Sequence, residues 1–215
     1  MVTLLDAISA GDLDGVRSAV TADPAAAATR GADGVSPVLR CLYSGRIDLA
    51  DAVLAAQPAL DVFDASALGD ISVLAGLLAG GADVTVYAPD GFTALHLAAF
   101  FDAPYAASLL LRAGADPEAV ADNGMRVRPL HSALAGRSSG VVAALLAAGV
   151  DIDVTQQKGF TPLMAAAQIG DGELVDLLLA CGADSRRVTD DGRTAADIAG
   201  DAGHEALVQR LRGPA

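Results

Sequence analysis

Acid–base, nucleophilic or metal chemistry in this 215-residue chain would have to come chiefly from three histidines, two cysteines and 27 carboxylates. His96, His131 and His204 have no Cys, Asp or Glu partner at a metal-ligand spacing that recurs. Cys41 and Cys181 each sit in an Ala/Leu helical pattern. Two cysteines build neither a disulfide framework nor a four-ligand zinc site. They are expected to be two buried, unpaired thiols in a reducing compartment. The chain has no G-x-S-x-G elbow, Walker loop or dinucleotide fingerprint. Its aspartates gather at turns and helix starts, where a short carboxylate bonds backbone N–H groups. The reading is a non-catalytic protein with no cofactor and no metal.

The elements that carry these residues are repetitive. Gly91-Phe92-Thr93-Ala94-Leu95-His96-Leu97-Ala98-Ala99 returns as Gly159-Phe160-Thr161-Pro162-Leu163-Met164-Ala165-Ala166-Ala167. Weaker copies begin at Gly124 and Gly192, and these four glycines are 33, 35 and 33 residues apart. A second phrase keeps the same phase: Leu109-Leu110-Leu111-Arg112-Ala113-Gly114-Ala115-Asp116 and Leu177-Leu178-Leu179-Ala180-Cys181-Gly182-Ala183-Asp184. Looser copies at Leu77 and Leu145 fill the series. Thr161 suits a helix N-cap and Pro162 the first turn. The Leu triplets form a buried stripe, and Gly114, Gly149 and Gly182 suit the left-handed position that ends a helix. Asp90-Gly91 and Asp191-Gly192 are turn dipeptides.

In these two phrases, at this period, the sequence resembles the ankyrin-repeat family. The resemblance implies an all-α repeat fold, a solenoid of helix-turn-helix units with short β-hairpin fingers. The N-terminal half is more divergent but in phase, so the expected organisation is one domain over 1–215. Its repeats start near 1, 34, 61, 91, 124, 159 and 192, and the first and last act as caps with wet outer faces. Met1 and Pro214-Ala215 are expected to leave no room for a further domain. The resemblance also implies structural roles for His96 and His131, bonding between neighbouring turns, and a structural or surface role for His204.

Two departures stand out. Equivalent positions Gly45 and Gly69 are only 24 residues apart, and Gln57-Pro58-Ala59-Leu60 replaces the finger. The row of fingers is therefore expected to have a gap. The fifth unit instead has two extra residues within Met125-Arg126-Val127-Arg128, which predicts a longer, basic finger.

A net charge of −13 argues against nucleic acid and against anionic membrane surfaces. With no basic leader at Met1-Val2-Thr3-Leu4-Leu5-Asp6 and no run of about 18 apolar residues, a cytoplasmic protein is expected. The single lysine, Lys158, and the abundance of alanine suit a bacterium of high genomic GC content.

The family's usual binding surface is the concave face, built from the fingers and the exposed side of each first helix. By phase, Tyr87, Phe92 and Phe160 fall on fingers, while Phe100, Phe101 and Tyr43 follow the small residues of first helices. Six of the eight aromatics thus map to that face, and only Phe63 and Tyr105 lie elsewhere. Aromatics bury large area at low entropic cost and anchor interfaces. The alternative for Phe100-Phe101 is to plug the step beside the missing finger. Asp90, Asp122 and Arg126 add charge beside the rings. The expected function is a protein–protein interaction module, a monomer when free, with one protein partner, a basic one where it complements the acidic surface. An immunity protein or inhibitor of a basic enzyme or toxin is one alternative, and a self-assembling scaffold is another.

Overall fold

A computed structural model describes residues 2–212. The segments Met1 and Pro214-Ala215, expected to close the two ends of the array, lie outside the described residues. Fourteen short α-helices follow one another in consecutive pairs: α1 (Leu4–Ala10) and α2 (Leu13–Ala22), α3 (Pro37–Tyr43) and α4 (Ile47–Leu54), α5 (Val62–Leu68) and α6 (Ile71–Ala79), α7 (Ala94–Phe100) and α8 (Pro104–Arg112), α9 (Pro129–Ala135) and α10 (Ser139–Ala147), α11 (Pro162–Ile169) and α12 (Gly172–Ala180), α13 (Ala195–Asp201) and α14 (Glu205–Arg212).

Local chemistry sets these boundaries. Thr3, Thr93, Thr161 and Thr194 cap first helices, each side-chain oxygen accepting the N–H three residues on. Asp12, Asp70 and Asp171 do the same for second helices. Gly114, Gly149 and Gly182 take φ of 93°, 86° and 96° just past the second helices, a conformation that other residues enter at a cost.

First helices stack on first helices, burying Ala98, Ala99, Ala166 and Ala167 completely. Small side chains let these helices approach closely. Leu110, Leu145, Leu174 and Leu178 of the second helices are likewise sealed. The core forms two clusters. One gathers α1 to α4, and the other runs from Val62 to Leu211. They meet at α5, which gives Val62 and Ala65 to the long cluster and Ala67 to the short one, and at α7, whose Leu97 reaches the short cluster while Leu95 and Ala98 join the long one. Phe63 packs against both.

Three expectations need correction. The fingers are not β-hairpins. One backbone hydrogen bond joins the two arms of each, as in Ala88 N–H to Phe92 O at 2.7 Å, Ala121 N–H to Val127 O at 2.8 Å and Thr189 N–H to Arg193 O at 2.9 Å, and the first and last of these add a turn bond, Gly91 N–H to Ala88 O and Gly192 N–H to Thr189 O, both at 2.8 Å. The single isolated bridge among the described residues pairs Tyr87 with Thr93. The glycine turn leaves too few residues on either side for a ladder to continue. The fingers instead bond to one another at their tips. Asp122 N–H donates to Gly91 O at 2.8 Å, Asn123 Nδ2 donates to Asp90 O at 3.2 Å, and Asp190 N–H donates to Lys158 O at 3.0 Å.

Second, no finger projects between α4 and α5, but the row has no open gap. Pro89 presses on Gly34, where an added Cβ would lie 2.7 Å from Pro89 Cγ. Tyr43 Oη donates to Asp90 Oδ2 at 2.5 Å across the same place. The finger before α7 thus contacts the finger before α3 directly.

Third, Cys41 is buried but Cys181 is exposed. Cys181 is the residue that ends α12, past the buried stripe of that helix.

Candidate protein-binding surface

The fingers and first helices carry a chain of touching aromatic rings. Tyr43 and Phe101 lie 5.6 Å apart, and Phe101 meets Phe100 edge-on at 5.1 Å. Phe101 and Phe92 are half-buried and pack on the N-terminal core cluster, and Phe160 packs on the other. These three rings are therefore packing residues in part, not free anchors. Tyr43 keeps an exposed edge, but its ring stacks on Phe101 and its hydroxyl is bonded, and burial beside the Asp90 carboxylate pushes the phenol well above its ordinary pKa. Phe100 remains 42% exposed. Tyr87 is also exposed, at its backbone bridge to Thr93, and makes no ring contact with the others.

Phe100 is one wall of an apolar recess of about 260 Å³ between α7, α9 and α11. Phe92, Phe160 and Ile169 form other walls, with Met125, Gln156 and Gln168 at the edge. The recess continues through Met125, Val127, Gln156, Phe160 and Gln168 into a wider trough of about 620 Å³ that reaches the charged Lys158, Asp190 and Arg193. The side-chain amides of Gln156 and Gln168 make no hydrogen bond among the described residues. Such a surface offers apolar area for a side chain and free amides for a polypeptide backbone.

Aromatic type alone missed Met125, Gln156, Gln168 and Ile169. Gln168-Ile169 occupies the two positions after Ala166-Ala167, just as Phe100-Phe101 follows Ala98-Ala99. The positional rule, applied without regard to residue type, identifies them.

Two histidines at matching positions differ. His96 Nε2 donates to Val127 O at 3.0 Å, which leaves Nδ1 to accept from Thr93 Oγ1 at 2.8 Å. Burial pushes the His96 ring down to about 4, so it is neutral at pH 7. His131, in the recess wall, is 4% exposed and lowered to about 4 for the same reason. Its helix begins after Arg128 rather than a threonine, so its Nδ1 has no capping hydroxyl. Neither ring nitrogen has a hydrogen-bond partner, although the backbone of Phe160 and Val154 lies close. His204 lies nearer the C-terminal end, with Nε2 3.2 Å from Gln168 O.

The charged residues divide. Arg128 turns inward to Glu118 at 2.7 Å, so the fifth finger is less basic at its tip than its sequence suggests. Arg126 is exposed at a φ of 55° and joins no ion pair among the described residues. Asp122 is exposed and likewise unpaired among them, beside Asp90 across two bonded fingertips.

The stacked helix pairs with linked fingers define a repeat solenoid of the interaction type, and the sequence comparisons give its family. The family model for ankyrin repeats (3 copies) matches residues 62–156 and again 130–214. The chain belongs to the ankyrin-repeat family, generally a non-catalytic interaction module. It is 37% identical over 169 residues to neurogenic locus notch homolog protein 2 of Homo sapiens, covering 77% of this chain and 6% of that protein. To notch homolog protein 4 of Homo sapiens it is 36% identical over 158 residues, 73% of this chain and 7% of that protein. To notch homolog protein 1 of Danio rerio it is 40% identical over 106 residues, 49% of this chain and 4% of the relative. The chain thus spans less than a tenth of the length of these curated relatives. Among the described residues no helix is long and apolar enough to cross a membrane.

Proposed function

We propose that this chain binds one protein partner on the concave face of its ankyrin array, a single domain of seven repeats, without catalysing a reaction. The supporting observation is the recess beside Phe100. A solvated apolar hollow flanked by unpaired amides is costly to leave open, and a partner side chain offsets that cost. The partner side of the array is centred on the fourth to sixth repeats, further toward the C-terminus than aromatic content alone places it. Tyr43 and Phe101 help to brace the array, and Phe100 with Phe160 supplies contact area. We read the free protein as a cytoplasmic monomer. Neutralising a basic enzyme or toxin is a special case of the same surface.

Affinity capture from the source cell tests this reading with matched variants. A partner held by the wild type should be lost with Phe100→Ala and kept with Tyr105→Ala, because Tyr105 is 78% exposed on α8, outside the recess. Equal loss with both variants, or with neither, sinks the assignment. A scaffold role would instead show as concentration-dependent oligomers of the purified chain.

A further inference from the structure

Three features surround the recess that neither family membership nor helix packing explains. His131 is a buried hydrogen-bonding group with its capacity unspent. Asp90 and Asp122 stand on adjacent fingertips, two residues from Phe92 in one case, and no cation among the described residues pairs with either; Asp90 already accepts from Tyr43 Oη and Phe92 N–H, so Asp122 is the freer of the two. The Phe100 ring, exposed at the end of the Tyr43–Phe101–Phe100 series, presents a π-surface at the recess.

We propose that the recess takes the bulky aliphatic side chain of an extended partner segment, and that an arginine or lysine next to it in that segment lies against Asp90 and Asp122. This rests on the concave-face reading above and adds the partner's chemistry. Charge complementarity carries the choice. The net charge of −13 draws a cationic segment at long range, and the two fingertip carboxylates receive it at contact. The exposed Phe100 ring at the recess attracts a cation through its quadrupole. An anionic segment would meet these carboxylates and gain Arg126 and Lys158, the latter with Asp190 at its own fingertip, while Arg193 in the trough is already paired with Asp191 and Asp201. The apolar walls favour an aliphatic side chain over a polar one. The amides of Gln156 and Gln168 at the edge of the recess serve the segment's backbone.

The test is an NMR titration of the full chain, isotopically labelled, at physiological ionic strength. The probes are three blocked peptides: Gly-Arg-Leu-Arg-Gly, Gly-Arg-Ser-Arg-Gly and Gly-Glu-Leu-Glu-Gly. The Arg/Leu peptide is expected to shift signals of Phe92, Phe100 and Ile169 and to bind at least tenfold more tightly than either control. Asp122→Asn, at an exposed site with no side-chain bond, should weaken it severalfold without moving the melting temperature. Shifts at those residues with the serine peptide binding equally well would overturn the recess assignment. The glutamate peptide binding as tightly would overturn the charge assignment. Either result leaves the concave face as the binding surface. Shifts confined to outer helices such as α8 would overturn both. No saturable shift below about 5 mM, an affinity near 3 kcal/mol, overturns the inference.

Discussion

Tyr43 and Asp90 are 47 positions apart in sequence, yet the tyrosine hydroxyl bonds the carboxylate at 2.5 Å, spanning a repeat that has no finger of its own. The missing finger is replaced by contacts between its neighbours. Tyr43→Phe keeps the ring on Phe101 but leaves Asp90 without this donor. It should lower stability by about 1 kcal/mol. Tyr43→Ala should cost clearly more, since the stacking is lost too. Equal denaturation midpoints for the wild type and both variants would show that this contact does not brace the array.

Leu110→Ala and Leu178→Ala each empty a fully buried site in a second helix. Each should cost roughly 2–5 kcal/mol in urea unfolding. An unshifted midpoint for either would contradict the packing described.

The two thiols should react differently. Burial pushes the Cys41 thiol up to about 11, whereas Cys181 is open to solvent. A thiol reagent at pH 8 should label one cysteine of the native protein quickly and the second only on unfolding. Fast labelling of both would place Cys41 elsewhere than in the core.

Arg128→Thr should restore the cap that α9 lacks and give His131 Nδ1 the partner that Thr93 gives His96. The cap is worth about 0.5–2 kcal/mol, less what the Arg128–Glu118 pair contributes. A net rise in melting temperature is expected. A fall would mean that the Glu118 pair matters more than the unsatisfied histidine.

Acidification should weaken the fold before the surface carboxylates titrate. The neutral rings of His96 and His131, lowered to about 4 from 6.5, take up protons on unfolding between those values, so stability falls as pH drops from 6.5 to 4. Asp64 works the other way. Burial raises it from 3.8 to about 6 against the opposing pull of the Ser36 Oγ hydrogen bond at 2.5 Å and the Arg30 charge 3.8 Å away, so its contribution grows as pH falls through the same window. Two groups oppose one, and the net slope favours neutral pH. Asp64→Asn removes the opposing group. Its stability relative to the wild type should therefore decline as pH falls from 7 to 4. A constant difference would clear Asp64 of any role in the slope.

The helices were legible because the period of about 33 residues places caps, leucine stripes and terminal glycines together. Phe100 is exposed, as its place in the repeat predicts, whereas the rings of Phe92, Phe101 and Phe160 turn partly into the core. That outcome depends on the adjoining repeat, which a single repeat's sequence does not describe. Tyr43 reaching Asp90 was hidden for the same reason: the partner lies two fingers along, and only a shortened loop brings it near. Cys181 was misread because the apolar pattern around it continues past the helix end. That the fingers lack a ladder was not legible either, since hairpin and turn share the same Asp-Gly signal.

Neighbouring fingertips from the fourth repeat onward are joined by four hydrogen bonds from backbone or side-chain amides to carbonyls, Gln157 Nε2 to Gly124 O among them, whereas the join from the second to the fourth finger rests on a phenol and a proline ring. The array resembles a spring with one soft coil, located where its two core clusters share α5. Bending strain imposed at either end would collect at that coil, so the curvature offered to a partner is set there, by residues that need not touch the partner at all.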